Sequence, residues 1–99
     1  GAAHAAIYPY GPFPAGDGTV VMLGLQNERE WAAFCDEVLR QPELARDARF
    51  ATVAQRSANR DALHALIVAA FAPLTCAEVV ARLDAAQIAD LAAYYATLK

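Results

Sequence analysis

The chain is 99 residues long, a length that suits one domain and leaves no room for two. Its formal charge of −3 argues against nucleic acid or an anionic membrane as the main partner, since phosphate neutralisation needs clustered Lys and Arg. The hydrophobic fraction is 58%, but a quarter of the chain is alanine, so the larger apolar side chains have to supply the core.

The first quarter of the chain is predicted to form a short hairpin. Pro9, Pro12 and Pro14 keep its first half extended, whereas the later run TVVMLGL has the β-branched and apolar composition of a buried strand. The AGDG segment between them is typical of a turn, in which glycine supplies positive φ and Asp17 bonds to nearby backbone. We therefore expect Ile7–Phe13 to pair with the second run.

A first helix is predicted to begin after Asn27. The Asn27 side chain can accept the amide hydrogen of Glu30, as in a capping box. Apolar residues then recur at helical spacing and define one broad stripe, formed by Trp31, Phe34, Cys35, Val38 and Leu39. The following QPEL segment suits a short helical turn with Pro42 at its first position.

Two longer helices are predicted in the second half. One runs from Val53 to Ala72, with a stripe formed by Leu63, Leu66, Ile67, Ala70 and Phe71, and Pro73 ends it. A second capping box, Thr75 with Glu78, opens the other. Its stripe continues toward Lys99 through Leu83, Leu91, Tyr94 and Leu98. Strands followed by helices predict an α+β domain weighted to α.

Few residues qualify as candidates for chemistry. His4 has no acid or nucleophile near it in the sequence, and His64 is interpreted as an exposed or rim side chain on a helix. Cys35 and Cys76 have apolar neighbours and are interpreted as small buried hydrophobes, not as a disulfide or redox pair. These His and Cys residues lack metal-binding spacing, and GPFPAGDG is not a phosphate-binding motif. We predict no catalytic and no metal-binding residue.

The arginines in the middle of the chain are interpreted as a solvated surface of mixed charge. Acids are interleaved with them, so they do not form a basic patch. They are Arg40, Arg46, Arg49, Arg56 and Arg60. The adjacent acids Asp36 and Glu37 point in different directions on a helix and are interpreted as surface residues.

Three blocks, in order, carry a resemblance to a known family. They are HAAIYPYGPFPAGDGTVVMLGLQNEREWAAFCDEVL, QPELARDARFATVAQRSANRDAL and LTCAEVVARLDAAQI. These blocks resemble the small domain of the family III CoA-transferases, the group of formyl-CoA transferase, carnitine CoA-transferase and acyl-CoA racemase. The resemblance extends from His4 to about Ala86.

The resemblance implies transfer of CoA between carboxylic acids through an aspartyl-CoA thioester, or acid–base chemistry in the racemases. It also implies that the catalytic aspartate and most of the CoA site lie in a large domain, and nothing in this chain resembles that domain. The family's glycine-rich loop would correspond to Gly1–Ala6, which contains one glycine. No catalytic residue and no loop function is therefore carried over.

The end of the chain departs from the family pattern. Family members usually have glycine where Gln87 stands, and a helix stops more easily at glycine. The segment QIADLAAYYATLK consists of good helix formers and resembles the C-terminal helix of class I cytochromes c. The chain has no CxxCH motif, so no haem is expected. We predict residues 87–99 as an appended helix, packed in cis or against another copy.

The sequence thus predicts a single α+β domain, residues 1–99, in which residues 1–86 are the small-domain-like part. A short N-terminal hairpin or small sheet precedes three to four helices, with a long C-terminal helix. The leading hypothesis is a stand-alone or truncated module that binds or assists and has no activity by itself. Two alternatives stay open: a subunit of a split CoA-transferase that needs a separate aspartate-bearing large domain, and a structural orphan.

The expected partner is a second copy of the chain, and no resident cofactor is expected. CoA or acyl-CoA could touch the aromatic rings and backbone donors of the Tyr8–Phe13 arm, and a separate large domain is the other candidate partner. No stretch approaches the roughly 18 apolar residues of a membrane span, and the start lacks the features of a signal peptide. Together with the two isolated cysteines, this predicts a cytoplasmic location without nucleic-acid or membrane partners.

Overall fold

The computed structural model describes residues 8–88 and 92–94. Its sheet is antiparallel in the order β1–β2–β3, with β1 at Tyr10–Pro14, β2 at Val20–Gly24 and β3 at Ala92–Tyr94. The helices are α1 (Glu28–Ala33), α2 (Val53–Ala58), α3 (Arg60–Phe71) and α4 (Cys76–Ala85). A π-helical turn, Phe34–Val38, extends α1, and two 3₁₀ turns, Pro42–Arg46 and Ala48–Phe50, precede α2. The predicted α+β class is confirmed.

The N-terminal hairpin forms as predicted, and its prolines protect one edge of the sheet. Phe13 pairs with Val21, and both side chains are buried. The Leu25 N–H donates to the Pro9 carbonyl and the Ala15 N–H donates to the Thr19 carbonyl. The alternate residues of β1, including Pro12 and Pro14, therefore direct their backbone away from β2. Because proline has no N–H, this edge lacks most of the donors that another strand would need.

The α1 helix begins at the predicted cap. The Asn27 side chain accepts the Glu30 N–H at 2.9 Å, and the Glu30 carboxylate accepts the Gln26 N–H at 2.6 Å. All five residues of the predicted stripe are buried. The Leu39 N–H donates to the Phe34 carbonyl at 2.9 Å, which is the spacing of a π-helix.

The single helix predicted over Val53–Ala72 is two helices, because Asn59 interrupts it. Asn59 has φ −109° and ψ 29°, outside the helical region. Its side-chain amide donates to the carbonyls of Arg49 and Gln55, each at 3.0 Å. Asparagine competes for backbone groups in this way, and the bonds stabilise a break between α2 and α3.

The predicted continuation of α4 toward Lys99 is wrong, because the helix ends in a Schellman motif. The Ile88 N–H donates to the Leu83 carbonyl at 2.9 Å and the Gln87 N–H donates to the Asp84 carbonyl at 3.0 Å. Gln87 occupies the left-handed position with φ 60°. Leu83 and Ile88 are both buried in the same core, and apolar residues commonly occupy these two positions of the motif.

The chain beyond this motif returns to the sheet, and this also corrects the prediction of an appended helix. Ala92–Tyr94 pairs antiparallel with β2, with Val21 opposite Ala93. The other edge of β2 already pairs with β1, so this segment satisfies backbone groups that β2 would otherwise expose. Residues 89–91 and 95–99, including the predicted stripe residues Leu91 and Leu98, lie outside the described residues.

Replacing Gln87 by glycine is expected to raise the free energy of unfolding by about 1 kcal/mol, because glycine adopts positive φ without steric cost. Urea unfolding would measure the change. Gln87→Ala is the matched control, since alanine keeps the Cβ and should bring no gain. Equal stability of the glycine and alanine variants would contradict the left-handed assignment at this position.

The core lies between the sheet and the helices and is rich in aromatic rings. The Trp31 ring lies 6.4 Å from Phe34 and 6.3 Å from Phe50, and Phe34 lies 6.4 Å from Phe71, measured between centroids. Most of the predicted apolar stripes are buried. Buried side chains outside those stripes include Tyr8, Phe13, Leu44, Phe50 and Ile88.

Candidate functional site

The N-terminal arm is fastened to the helical layer by a buried arginine. Arg56 is 3% exposed. Its Nε donates to the Tyr8 carbonyl at 3.3 Å and its Nη1 donates to the Phe50 carbonyl at 2.9 Å. One side chain on α2 therefore fixes both the start of the hairpin and the 3₁₀ turn before α2.

The same guanidinium forms a two-nitrogen contact with a carboxylate. Nη2 and Nη1 of Arg56 donate to the two oxygens of Glu28 at 2.7 and 3.3 Å. The Arg56 Cζ also lies 4.8 Å from the centroid of the Trp31 ring. The planar guanidinium suits both contacts at once. The interpretation of Arg56 as part of a solvated surface is thus wrong, because partners from three distant segments compensate its burial.

The arm presents less surface to a ligand than predicted. Tyr8 is 8% exposed and Phe13 is 1% exposed, and their ring centroids lie 6.2 Å apart inside the core. Burial raises the pKa of the Tyr8 phenol. Their rings are therefore closed to an acyl chain or pantetheine, whereas Tyr10 is 38% exposed. His4 and Gly1–Ala6 lie outside the described residues.

His64 is exposed, as predicted, and lies against the arm. Its ring centroid is 5.4 Å from that of Phe13 at an interplanar angle of 34°. Arg60, one turn earlier on α3, places its Cζ 5.3 Å from the centroid of the Tyr8 ring. These contacts attach α3 to β1. No metal-binding group of three His, Cys, Asp or Glu side chains occurs within the described part of the chain.

The hairpin turn docks on the loop between α3 and α4. The Gly16 N–H donates to the Leu74 carbonyl at 2.7 Å. Asp17 accepts the Cys76 N–H at 3.1 Å, at the N-terminus of α4, and also bonds to the Thr19 hydroxyl and N–H. These bonds, that from the Thr19 hydroxyl foremost, lower the pKa of the Asp17 carboxyl. Because the folded-state pKa is lowered, this contact stabilises the fold above about pH 4 and is lost on acidification below it.

Both thiols are core groups, as predicted. Cys35 and Cys76 are free and fully buried. Burial raises the pKa of Cys35 to about 12, so the thiol is protonated at neutral pH. A protonated, enclosed thiol is neither a nucleophile nor a metal ligand.

A groove lies between the π-helical turn and α4. It has a volume of about 400 Å³ and is lined by Glu37, Arg40, Ala81, Arg82 and Ala85. Arg82 Nη1 donates to the Val38 carbonyl at 2.9 Å, which caps the end of the π-helical turn. Arg40 has φ 58°, an unusual conformation for a residue with a side chain. The groove therefore lies at the ends of two helical segments and is lined by three charged side chains.

A second arginine joins the start of α1 to the C-terminal end of α4. Arg29, in α1, donates through Nη2 to the Gln87 carbonyl at 2.7 Å and through Nη1 to the Ala86 carbonyl at 3.3 Å. Arg82 of α4 caps the extension of α1, and Arg29 of α1 caps α4.

No single helix of the described residues is long and apolar enough to cross a membrane; α3 and α4 pass such a test only together, bent by 108°.

Sequence reasoning missed the role of Arg56 and the groove. The sequence offered only a weak signal for Arg56. Arg56 lies near a predicted helix start and a few residues after Phe50, an aromatic residue for which no packing partner was predicted. No signal in the sequence marked the groove, because its walls come from segments more than 40 residues apart.

Comparison with known proteins identifies the family. The model of CoA-transferase family III matches residues 1–95. Succinyl-CoA:glutarate CoA-transferase of Mus musculus is 38% identical over 72 residues, which are 73% of this chain and 16% of the relative. Succinyl-CoA:mesaconate CoA-transferase of Haloarcula marismortui is 37% identical over 67 residues, which are 68% of this chain and 16% of the relative.

Solved structures agree with this match. A CAIB/BAIF family protein from Brucella suis has a TM-score of 0.78 at 30% identity, over 93% of this chain and 23% of that chain. A hypothetical protein from Mycobacterium tuberculosis has the same TM-score at 28% identity, over 87% of this chain and 24% of that chain. The chain spans about a sixth of the length of the curated relatives it matches. The predicted resemblance is confirmed, and the chain belongs to CoA-transferase family III.

Proposed function

We propose that this domain is a non-catalytic module of CoA transfer, which takes part in the reaction only together with a region that supplies the catalytic carboxylate. The observation that carries the proposal is the placement of the aspartates of residues 8–88. Asp17 caps α4 and Asp47 pairs with Arg49 at 2.8 Å. The others are exposed on helices, and no aspartate lines the groove. A nucleophilic carboxylate needs an enclosed site with oriented partners, and none of these has one.

The substrates of the whole enzyme are proposed from the relatives. The mouse and Haloarcula relatives are named for transfer of CoA from succinyl-CoA to glutarate and to mesaconate. All three acids carry two carboxylates. We propose that the enzyme to which this module belongs acts on dicarboxylic acids. The module would work as a homodimer in the cytoplasm, and two reduced cysteines are compatible with that location.

The test is a transferase assay with succinyl-CoA and glutarate. The purified chain alone is expected to give no turnover. Mixed with a family III transferase that lacks the region equivalent to residues 1–95, it is expected to restore turnover, which would also favour the split-enzyme form of the proposal. Calorimetric titration of the chain with CoA and with succinyl-CoA would show separately whether the module contributes to ligand binding.

The control for this assay is replacement of the exposed aspartates by asparagine. Turnover by the chain alone that is abolished by Asp36→Asn, Asp61→Asn or Asp84→Asn would place a nucleophile in this domain and overturn the proposal. These three aspartates have no hydrogen-bonding or ion-pair partner for their side chains among the described residues, so their replacement leaves the fold intact.

A further inference from the structure

The sheet has one face in the core and another turned outward. Phe13 and Val21, which pair across β1 and β2, are buried in the core. Their neighbours along each strand point the other way, since successive side chains of a strand alternate between its two faces. This second surface is termed the outward face, and its described side chains are Tyr10, Pro12, Pro14, Val20 and Met22.

The outward face is apolar along both strands. Pro12 pairs with Met22 and Pro14 pairs with Val20, so these side chains form one continuous patch beside the exposed Tyr10. No charged side chain stands on this face among the described residues of β1 and β2. Antiparallel sheets that have one face in water usually place polar side chains there. An exposed apolar patch instead marks a surface that another protein segment covers.

The prolines decide how an occupant can bind. Pro12 and Pro14 direct their backbone toward the free edge of β1 and have no N–H to donate there. A further strand would therefore gain few hydrogen bonds at this edge. The remaining geometry is a layer of helix or sheet that packs flat against the apolar side chains of the outward face.

The comparisons with relatives indicate which layer this is. The family model matches residues 1–95, and within that range β1 and β3 lie on either side of β2. The matched part is 23% of one solved relative and 24% of the other, so most of each polypeptide lies outside it. In a complete member, the flanking polypeptide thus joins the domain next to the two strands that border the outward face. Attachment at both borders raises the effective concentration of the flanking region at this face.

We propose that the outward face binds the region of a family III transferase that supplies the catalytic carboxylate. The inference deepens the proposed function, on which it rests, by giving the module a docking surface for that region. The hairpin is already fixed by the bonds from Arg56 to Tyr8 and from Gly16 to Leu74, so docking orders little additional chain. Because the contact is apolar, its strength should change little as salt is added.

Met22 is the single methionine of the chain and therefore reports the accessibility of the outward face. Hydrogen peroxide converts an accessible methionine to its sulfoxide, and tandem mass spectrometry assigns the added oxygen to Met22. The partner in the experiment is the mouse succinyl-CoA:glutarate CoA-transferase without the region that matches this chain, shown by circular dichroism to be folded. At a partner concentration about ten times the dissociation constant, the rate of Met22 oxidation is expected to fall about tenfold.

Substitutions at Met22 test whether the contact is apolar. Met22→Lys places a charge on the face, while its long alkyl stem replaces the methionine chain and preserves the fold. It is expected to raise the dissociation constant, measured by calorimetry, at least about tenfold. Met22→Leu keeps the face apolar and should bind within about threefold of the parent chain.

A matched control lies in the helical layer on the other side of the sheet. Val68 of α3 is half-buried, as Met22 is, and Val68→Lys introduces the same charge there. This substitution should leave the dissociation constant unchanged. Urea unfolding would confirm that each variant is folded.

The outcomes distinguish this inference from the proposed function. Absence of binding, binding that ignores Met22→Lys, or equal weakening by Val68→Lys would overturn the docking surface. Protection of Met22 on concentrating the chain alone would mean that a second copy covers the face, and would overturn it as well. Turnover by the chain alone overturns the proposed function, whatever the binding result. Protection by the partner with selective loss in the Met22→Lys variant supports the outward face.

Discussion

Replacing Arg56 by methionine is expected to lower the free energy of unfolding by about 2–4 kcal/mol, because several buried groups lose their donor at once. The guanidinium bonds to the carbonyls of Tyr8 and Phe50 and to the Glu28 carboxylate. Methionine fills much of the vacated volume, so the loss reports the hydrogen bonds more than a cavity. The measurement is urea unfolding followed by the fluorescence of the single tryptophan, Trp31, which Arg56 contacts.

Two further variants separate the contributions of charge and shape. The Glu28 side chain is 61% exposed, so Glu28→Gln is expected to cost less than about 1 kcal/mol. Arg56→Lys keeps the charge but loses the planar set of donors, and should show most of the methionine effect. A methionine variant within about 0.5 kcal/mol of the parent chain would mean that Arg56 does not hold the arm in place.

Replacing Gly16 by alanine is expected to cost about 3 kcal/mol, because the hairpin turn cannot stay docked. A Cβ at this position would overlap the Ala72 carbonyl oxygen and lie 2.7 Å from the carbonyl carbon, both of which are backbone atoms. The turn would have to withdraw, which breaks the bond from Gly16 to Leu74 and separates Asp17 from the Cys76 N–H.

Gly18→Ala is the matched control for this prediction. Gly18 has φ 87°, and a Cβ at this position would have no atom within 4 Å, so alanine there brings only backbone strain of about 1–2 kcal/mol. The chemical shift of the Cys76 amide should move in the Gly16 variant and remain close to the parent value in the Gly18 variant. Equal destabilisation by both substitutions would contradict the docking of the turn on the loop between α3 and α4.

The local signals in the sequence were reliable because each depends on atoms a few residues apart. The caps at Asn27 and Thr75 form with the predicted amide partners. Pro42 opens a short helical turn, and the AGDG segment turns between the two strands. The family resemblance rests on the order of such local blocks, and the family model that matches residues 1–95 confirms it.

Candidate surfaces were harder to predict, because they depend on long-range contacts. The Tyr8–Phe13 arm was one candidate surface for a ligand contact, but the rings of Tyr8 and Phe13 are buried in the core. Arg56 was expected in solvent, and its burial becomes favourable only when Glu28 and two backbone carbonyls converge on it. Composition and periodicity contain no information about such convergence.

The end of the chain shows the division most clearly. By itself the sequence determined an α+β domain of family III, its two capped helix starts and its apolar stripes, since these follow from propensity and spacing. Only the tertiary structure decided that the helix stops at Gln87 and that Ala92–Tyr94 is a strand. Helix propensity alone stabilises a short segment only weakly, whereas ending the helix here buries Ile88 and lets Ala92–Tyr94 pair with the open edge of β2.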